Sequence, residues 1–369
     1  MHYQPPFAVA IAIALLFLIL LGFVVPIRRG YTPKFNSPQS VALLEQVSLS
    51  GGRQYVLIRG KNKQNPILLF LHGGPGMPTM YLAHDFQRDL ERDFVVVQWD
   101  RLGAGKSYPE AVSAPNLSVN QEIEDTVELI DQLRARFHQE KIYLVGFSYG
   151  TYVGILVAQR VPERLHAYVG IGQLACSEDE NRKIQDEWLI KQASNVQDHE
   201  ALDELTGKKP LDREKLLFKY GAELHSAHNW WPLLWSGIGS PEYTFRDVFN
   251  VNKGVQFTAR HLRYDVPEGA ILLKVLSLRI PVYFFSGRFD YTDPTICTVR
   301  LFNSLAAPIK KMVWFEHSAH FVFFEEPDQF ALAMKRVAVE ASRWESDKKI
   351  VTSRACRIQF TIQDTAGHG

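Results

Sequence analysis

Cysteine is scarce in this chain. The three present, Cys176, Cys297 and Cys356, are far apart in 369 residues. They match no metal-ligand spacing and sit in no His/Cys cluster, so neither a disulfide framework nor a metal site is expected. Buried free thiols are the expected state. Surplus charge is also lacking. The formal net charge is +1, which gives no reason to expect a nucleic-acid or polyanion partner. There is no internal repeat. The N-terminus has neither the basic start nor the small-residue cleavage pattern of a signal peptide, and no lipid-modified cysteine follows.

What the N-terminus does have is an uncharged run from Phe7 to Ile27. It is long enough to cross a bilayer as a helix. The expectation is a retained single-pass membrane anchor over residues 7–27. Arg28, Arg29 and Lys34 just after it favour a cytosolic main domain, and unpaired cysteines agree. Translocation to the other side remains open.

The remaining composition, 46% hydrophobic and 22% charged, is that of a globular protein with a substantial core. Two strand-like runs flank Gly51-Gly52 and read as a hairpin. Pro66–Leu71, Phe94–Trp99, Ile142–Val145 and Leu165–Ile171 read as buried strands. A helix carrying Ile123, Val127, Ile130 and Leu133 starts after Ser118, whose sequence to Gln121 has capping-box form. Strands alternating with helices predict an α/β fold with a mostly parallel, doubly wound sheet. From residue 174 to 275 the pattern changes to dense charge and helix-like segments, with four of the seven tryptophans. Alternation resumes at Ile280–Ser286 and Lys311–Phe315, and a last helix starts near Pro327. The expected organisation is an anchor at 1–30, a core at 31–173, a helical insertion at 174–275, core again at 276–345 and an irregular tail at 346–369.

Four loops carry the chemistry. Gly146-Phe147-Ser148-Tyr149-Gly150 lies between a strand and a helix. So sharp a reversal strains the central residue and exposes the serine hydroxyl. His72-Gly73-Gly74-Pro75-Gly76 follows a buried strand, and the N–H groups of Gly74 and Tyr149 could form an oxyanion hole. Ser286-Gly287-Arg288-Phe289-Asp290 offers a carboxylate to orient a histidine, with Asp293 as a rival. His317-Ser318-Ala319-His320 offers two histidines as general base. Each loop follows a predicted strand, at the edge where α/β sheets place ligands. The order Ser148, Asp290, His320 is that of α/β hydrolases.

These motifs resemble the proline iminopeptidase type of α/β hydrolase over roughly Val41 to Trp344. HGGPG is that group's hallmark. WDRLGAGKS at Trp99–Ser107 is similar to its D-x-R-G-x-G-x-S loop, with Leu102 in place of arginine. GFSYG corresponds to its G-G-S-x-G elbow, and SGRFD to its G-R-x-D acid motif. SAHFVFFEEP at Ser318–Pro327 resembles its S-G-H…E-E-P segment, with Ala319 in place of glycine, and this selects His320 over His317. The resemblance implies an α/β hydrolase fold with a helical cap inserted after the sixth strand. It also implies a cofactor-free serine hydrolase with nucleophile Ser148, general acid/base His320 and orienter Asp290, acting on a small molecule or short peptide. A catalytically idle binding protein of this fold is the rival class, but such members usually lose a triad residue and this chain keeps all three.

The family's cap segment W-x-x-W-E supplies a glutamate to the substrate's amine. The matching stretch here, from Trp230 to Gly237, lacks it, and Trp230, Trp231 and Trp235 offer apolar surface instead. Glu178, Glu187 and Glu242 could take over the amine contact. The expectation is weak or absent prolyl aminopeptidase activity and measurable hydrolysis of uncharged acyl esters, as by a carboxylesterase or lipase-like enzyme.

Overall fold

The computed structural model describes residues 11–19, 30–113, 117–263 and 275–365, with side chains to residue 348 except those of 112 and 113. Eight strands form one sheet: β1 (Val41–Leu49), β2 (Gly52–Gly60), β3 (Ile67–Leu71), β4 (Val95–Asp100), β5 (Ile142–Phe147), β6 (Leu165–Ile171), β7 (Val282–Gly287) and β8 (Lys310–Phe315). Their order is β1-β2-β4-β3-β5-β6-β7-β8. β1 pairs antiparallel with β2, and β2 with β4; every other pairing is parallel.

The central strands β3, β4 and β5 are buried along their whole length, as strands covered on both faces must be. Alternate side chains leave opposite faces of a strand, and two cores result. Leu69, Leu71, Val97, Ile142 and Leu144 pack with residues of the helices Val119–Phe137 and Tyr149–Arg160. Leu68, Phe70, Val96, Tyr143 and Val145 pack with Phe86, Phe323, Phe330 and Met334 on the other side. The Ser118 hydroxyl accepts from the Gln121 N–H and starts the first of these helices; His138, in the left-handed region, ends it.

Between β6 and β7 the described chain is helical, with helices Glu178–Asn195, His199–Leu205, Arg213–Lys219, Trp231–Gly239 and Phe245–His261. The core reaches into this segment through Phe218, Leu224, Leu233 and Tyr243. A buried polar junction adds to it. Lys106 donates to Asp247 Oδ2 at 2.6 Å and to the Glu242 carbonyl at 3.1 Å, and the Tyr243 hydroxyl bonds Asp100.

Three expectations are corrected. The anchor over residues 7–27 is not borne out, because no helix among the described residues is long and apolar enough to cross a membrane. Residues 11–19 of that run are helical, but at 1.5 Å per residue they span only about 14 Å, half of a hydrocarbon core of about 30 Å. The rest of the run lies outside the described residues. Cys176 and Cys297 are not free thiols. They form a disulfide with their Cα atoms 5.4 Å apart across 121 positions of sequence. Spacing cannot reveal such a pair, since only the folded chain brings the ends together, and the support that free thiols lent to a cytosolic side is lost. Cys356 lies outside the described side chains. Finally, the last helix runs from Pro327 through Thr365 rather than stopping before an irregular tail at 346. No proline or glycine interrupts it after Pro327.

Candidate active site

The turn after β5 is built around one strained residue. Ser148 has φ 51° and ψ −125°, a region that L-residues rarely occupy. Its backbone N–H donates to the Ile171 carbonyl of β6 at 2.9 Å, which fixes the reversal against the neighbouring strand. The flanking glycines permit it sterically. A Cβ on Gly146 would stand 2.6 Å from the Gly150 carbonyl oxygen, and one on Gly150 would stand 2.3 Å from that of Leu71. The strain holds Ser148 part-exposed at the N-terminus of the helix Tyr149–Arg160, where backbone N–H groups face outward.

The HGGPG loop abuts this serine, since a Cβ on Gly73 would lie 3.1 Å from the Ser148 Cβ. The loop is braced from below. Arg101 donates to the His72 carbonyl at 2.6 Å, and its own N–H to His72 Nε2 at 3.2 Å. Burial, and then the Arg101 charge, hold the His72 pKa well below its usual value, so this imidazole stays neutral. The same guanidinium lies 3.9 Å from Glu122, which accepts from the Tyr149 hydroxyl at 2.8 Å. Arg101 and Glu122 thus tie the glycine loop to the elbow, and no motif marks Glu122 in the sequence.

β7 and β8 end side by side, Gly287 opposite Phe315, which brings the acid and base loops together. Asp290 Oδ1 accepts the N–H of Asp293 at 3.0 Å, leaving Oδ2 to meet His320 Nδ1 at 2.9 Å. The two glutamates of the E-E-P segment hold the histidine's loop. Glu326 accepts from the His317 N–H at 3.0 Å and the Ser318 hydroxyl at 2.6 Å, and Glu325 from the Ala319 N–H at 2.8 Å. The His320 N–H donates to the Glu223 carbonyl at 3.1 Å, and the ring packs on Phe147 at 4.8 Å. His317 is exposed.

Ser148, Asp290 and His320 therefore converge, but not as a simple chain of three. The Ser148 hydroxyl donates to Asp293 Oδ2 at 3.2 Å, and that oxygen is 3.8 Å from His320 Nε2. The residue read from sequence as a rival to Asp290 is an additional member. Glu223, from the inserted segment, is a further carboxylate in the field of His320, and nothing in its sequence context signals this. Burial pushes the Glu223 carboxyl up to about 7, against the His320 charge. Burial likewise raises Asp293, with Asp290 and Glu223 adding to it. For His320, burial disfavours the cation. Asp290, Asp293 and Glu223 outweigh it and raise the pKa to about 10.

Trp230, Trp231 and Trp235 stack in sequence, with ring centroids 4.6 and 6.4 Å apart, and all three are exposed. Among the described residues they make no ring or hydrogen-bond contact with Ser148, Asp290 or His320. The acids suggested for the amine contact lie elsewhere: Glu178 pairs with Arg182, Glu187 is exposed, and Glu242 bonds Thr32 and Ser240.

Comparison with known proteins agrees with this architecture. The model of the alpha/beta hydrolase fold family matches residues 66–327. The chain is 31% identical to the probable aminopeptidase YbaC of Bacillus subtilis (strain 168), over 81% of this chain and 97% of the relative. It is 23% identical to a proline iminopeptidase of Heyndrickxia coagulans, over 77% and 94%. In structure it is similar to the proline iminopeptidase of Mycobacterium smegmatis, with a TM-score of 0.57 and 15% identity, covering 81% of this chain and 98% of that one.

Proposed function

The chain belongs to the α/β hydrolase family, as a serine-hydrolase-type enzyme of the proline iminopeptidase kind, and from that membership we propose that it is an aminopeptidase. It releases the N-terminal residue of a short peptide, or of a related amide, whose α-amine is free. Ser148 attacks the carbonyl carbon, and His320 takes the hydroxyl proton. Asp290 holds the ring through Nδ1 and stabilises the imidazolium. The N–H groups of Gly74 and Tyr149 receive the oxyanion. His320 then passes its proton to the leaving amine, and water, deprotonated by the same ring, releases the acyl group. The helices between β6 and β7 act as the cap over this edge of the sheet.

The observation that carries the peptidase reading over the esterase one is the surplus of carboxyl groups around Ser148 and His320. Asp293 bonds Ser148, and Glu223 lies in the field of His320, in addition to Asp290. An uncharged ester has no use for them, and a substrate ammonium does, because a buried charge needs a partner. The expectation of weak or absent aminopeptidase activity rested on the glutamate missing from the Trp230–Gly237 stretch. Carboxylates from the β7 loop and from residue 223 make up for it.

The test is kcat/KM for a proline arylamide, its N-acylated form and a butyrate ester. The reading requires the free amine to be preferred by about 100-fold or more over its acylated form, as a site built around a polar group rejects analogues that lack it. Equal rates for the two amides, with fast ester turnover, would make the enzyme an esterase instead.

A further inference from the structure

Among the described residues, Asp293 is the one carboxylate that bonds Ser148. Its Oδ2 lies 3.2 Å from Ser148 Oγ and 3.8 Å from His320 Nε2, so the hydroxyl is directed to the acid and not to the base. Asp293 is held there firmly. Its N–H is tied to Asp290 and the Asn181 amide lies 3.5 Å from its Oδ1. It is buried, whereas the part-exposed Ser148 admits a substrate from outside.

The geometry of the substrate matches this placement. In an α-aminoacyl group the nitrogen is two bonds from the carbonyl carbon. With bonds of about 1.5 Å, it falls within about 3–4 Å of a serine oxygen attacking that carbon. A carboxylate in contact with the serine oxygen, as Asp293 is, is therefore within reach of this ammonium.

We propose that Asp293, on the loop after β7, is the anchor for the substrate's α-ammonium, and that this pairing draws Asp293 off the Ser148 hydroxyl so that the hydroxyl turns to His320. This rests on the aminopeptidase reading and adds to it. The amine contact comes from the sheet loop that also carries the orienting acid, and the arriving substrate releases its own nucleophile. A substrate without an amine leaves the Ser148–Asp293 bond in place and meets a serine aimed away from its base. Free-amine preference then appears in kcat as well as in KM.

The experiment uses the full chain with Asp293→Asn, Asp293→Glu and Glu223→Gln, and matched proline arylamides with the amine free or N-acetylated. The preference for the free amine should fall about 100-fold in Asp293→Asn, by loss of the buried charge pair. Asp293→Glu, which keeps the charge and displaces it, should retain much of the KM advantage and lose kcat. Glu223→Gln should keep most of the preference. In the wild type, prolinol should protect Ser148 from a fluorophosphonate probe and N-acetylprolinol should not. Should Asp293→Asn fail to fold, the Glu variant decides: unchanged kcat and KM in it would overturn the proposal. A full free-amine preference surviving in Asp293→Asn would also overturn it while leaving the aminopeptidase reading standing. No preference in the wild type would overturn both.

Discussion

The two halves of the site are held by opposite means. On the side of Ser148, the proposed nucleophile, β3 and β5 and their loops are positioned by close approach of backbones. Gly146 and Gly150 admit neighbours that a single methyl group would exclude, and Arg101 and Glu122 brace the loop from behind. On the side of His320, the proposed base, β7, β8 and the inserted segment are held by carboxylates: Asp290 and Asp293 at His320, Glu325 and Glu326 on its loop. A disulfide, Cys176–Cys297, adds a covalent tie there between the start of the insertion and the helix after the acid loop. Steric exclusion leaves a motif of glycines. Charge crowding leaves scattered acids that look like any others until the chain has folded.

The contrast can be broken most severely at the nucleophile. Ser148→Ala should abolish fluorophosphonate labelling and lower kcat by a factor of about 10⁴ or more, as loss of an attacking serine does; surviving label would move the nucleophile elsewhere. On the base side, His320→Ala should lower kcat by several orders of magnitude, on the order of 10³ or more. His317→Ala, three residues away and exposed, should stay within about threefold of wild type, since surface changes perturb little. Reversed effects in a steady-state assay would assign the base to the other histidine.

Removing the covalent tie tests how far the base side depends on it. Cys297→Ser should lower unfolding free energy by about 2–4 kcal/mol, the usual effect of opening a long disulfide-closed loop, as measured by denaturant titration. No change in midpoint would mean that the two cysteines are not paired in solution.

The smallest expected effect is a displaced pH profile. Asp290, Asp293 and Glu223 overcome the burial of His320 and raise its pKa to about 10. A raised pKa means that the cation stabilises the fold at pH below about 6.5, and that this contribution is lost as pH rises through the folded value. It also means that the neutral base is scarce at neutral pH, so kcat/KM for an uncharged ester should climb with pH into the alkaline range. Asp293→Asn removes one of the raising charges and should move that limb to lower pH. A limb unmoved by the substitution would show that Asp293 does not bear on His320.

Much of this was legible without coordinates. The strand runs at Pro66–Leu71, Phe94–Trp99, Ile142–Val145 and Leu165–Ile171 appear close to where they were expected, because buried parallel strands are short continuous apolar runs rich in β-branched and aromatic residues. Ser148, Asp290 and His320 could be proposed because each loop follows a strand-like run and because the family's motifs select His320 over His317. The apolar N-terminal run misled for a related reason. Hydropathy over residues 7–27 measures what a segment could do in a bilayer, and only the helix itself shows whether it reaches the needed length. The tail beyond 346 misled in the other direction, since a weak apolar pattern does not forbid a helix that no proline or glycine interrupts.

What the sequence by itself determined is the order of the strands' chemistry: which loops end in glycine, serine, aspartate and histidine, and hence the family of fold and reaction. These are local properties, set by a few neighbouring residues and their backbone requirements. What only the tertiary structure decided is which distant groups share a space. Cys176 meets Cys297, Glu223 meets His320, and Asp293 is bonded to Ser148 across 145 positions of chain. Electrostatic fields act through space and ignore sequence distance. The charge of the site, on which the proposed preference for a free amine rests, therefore comes from the packing of β7 and the inserted segment and is written in no single motif.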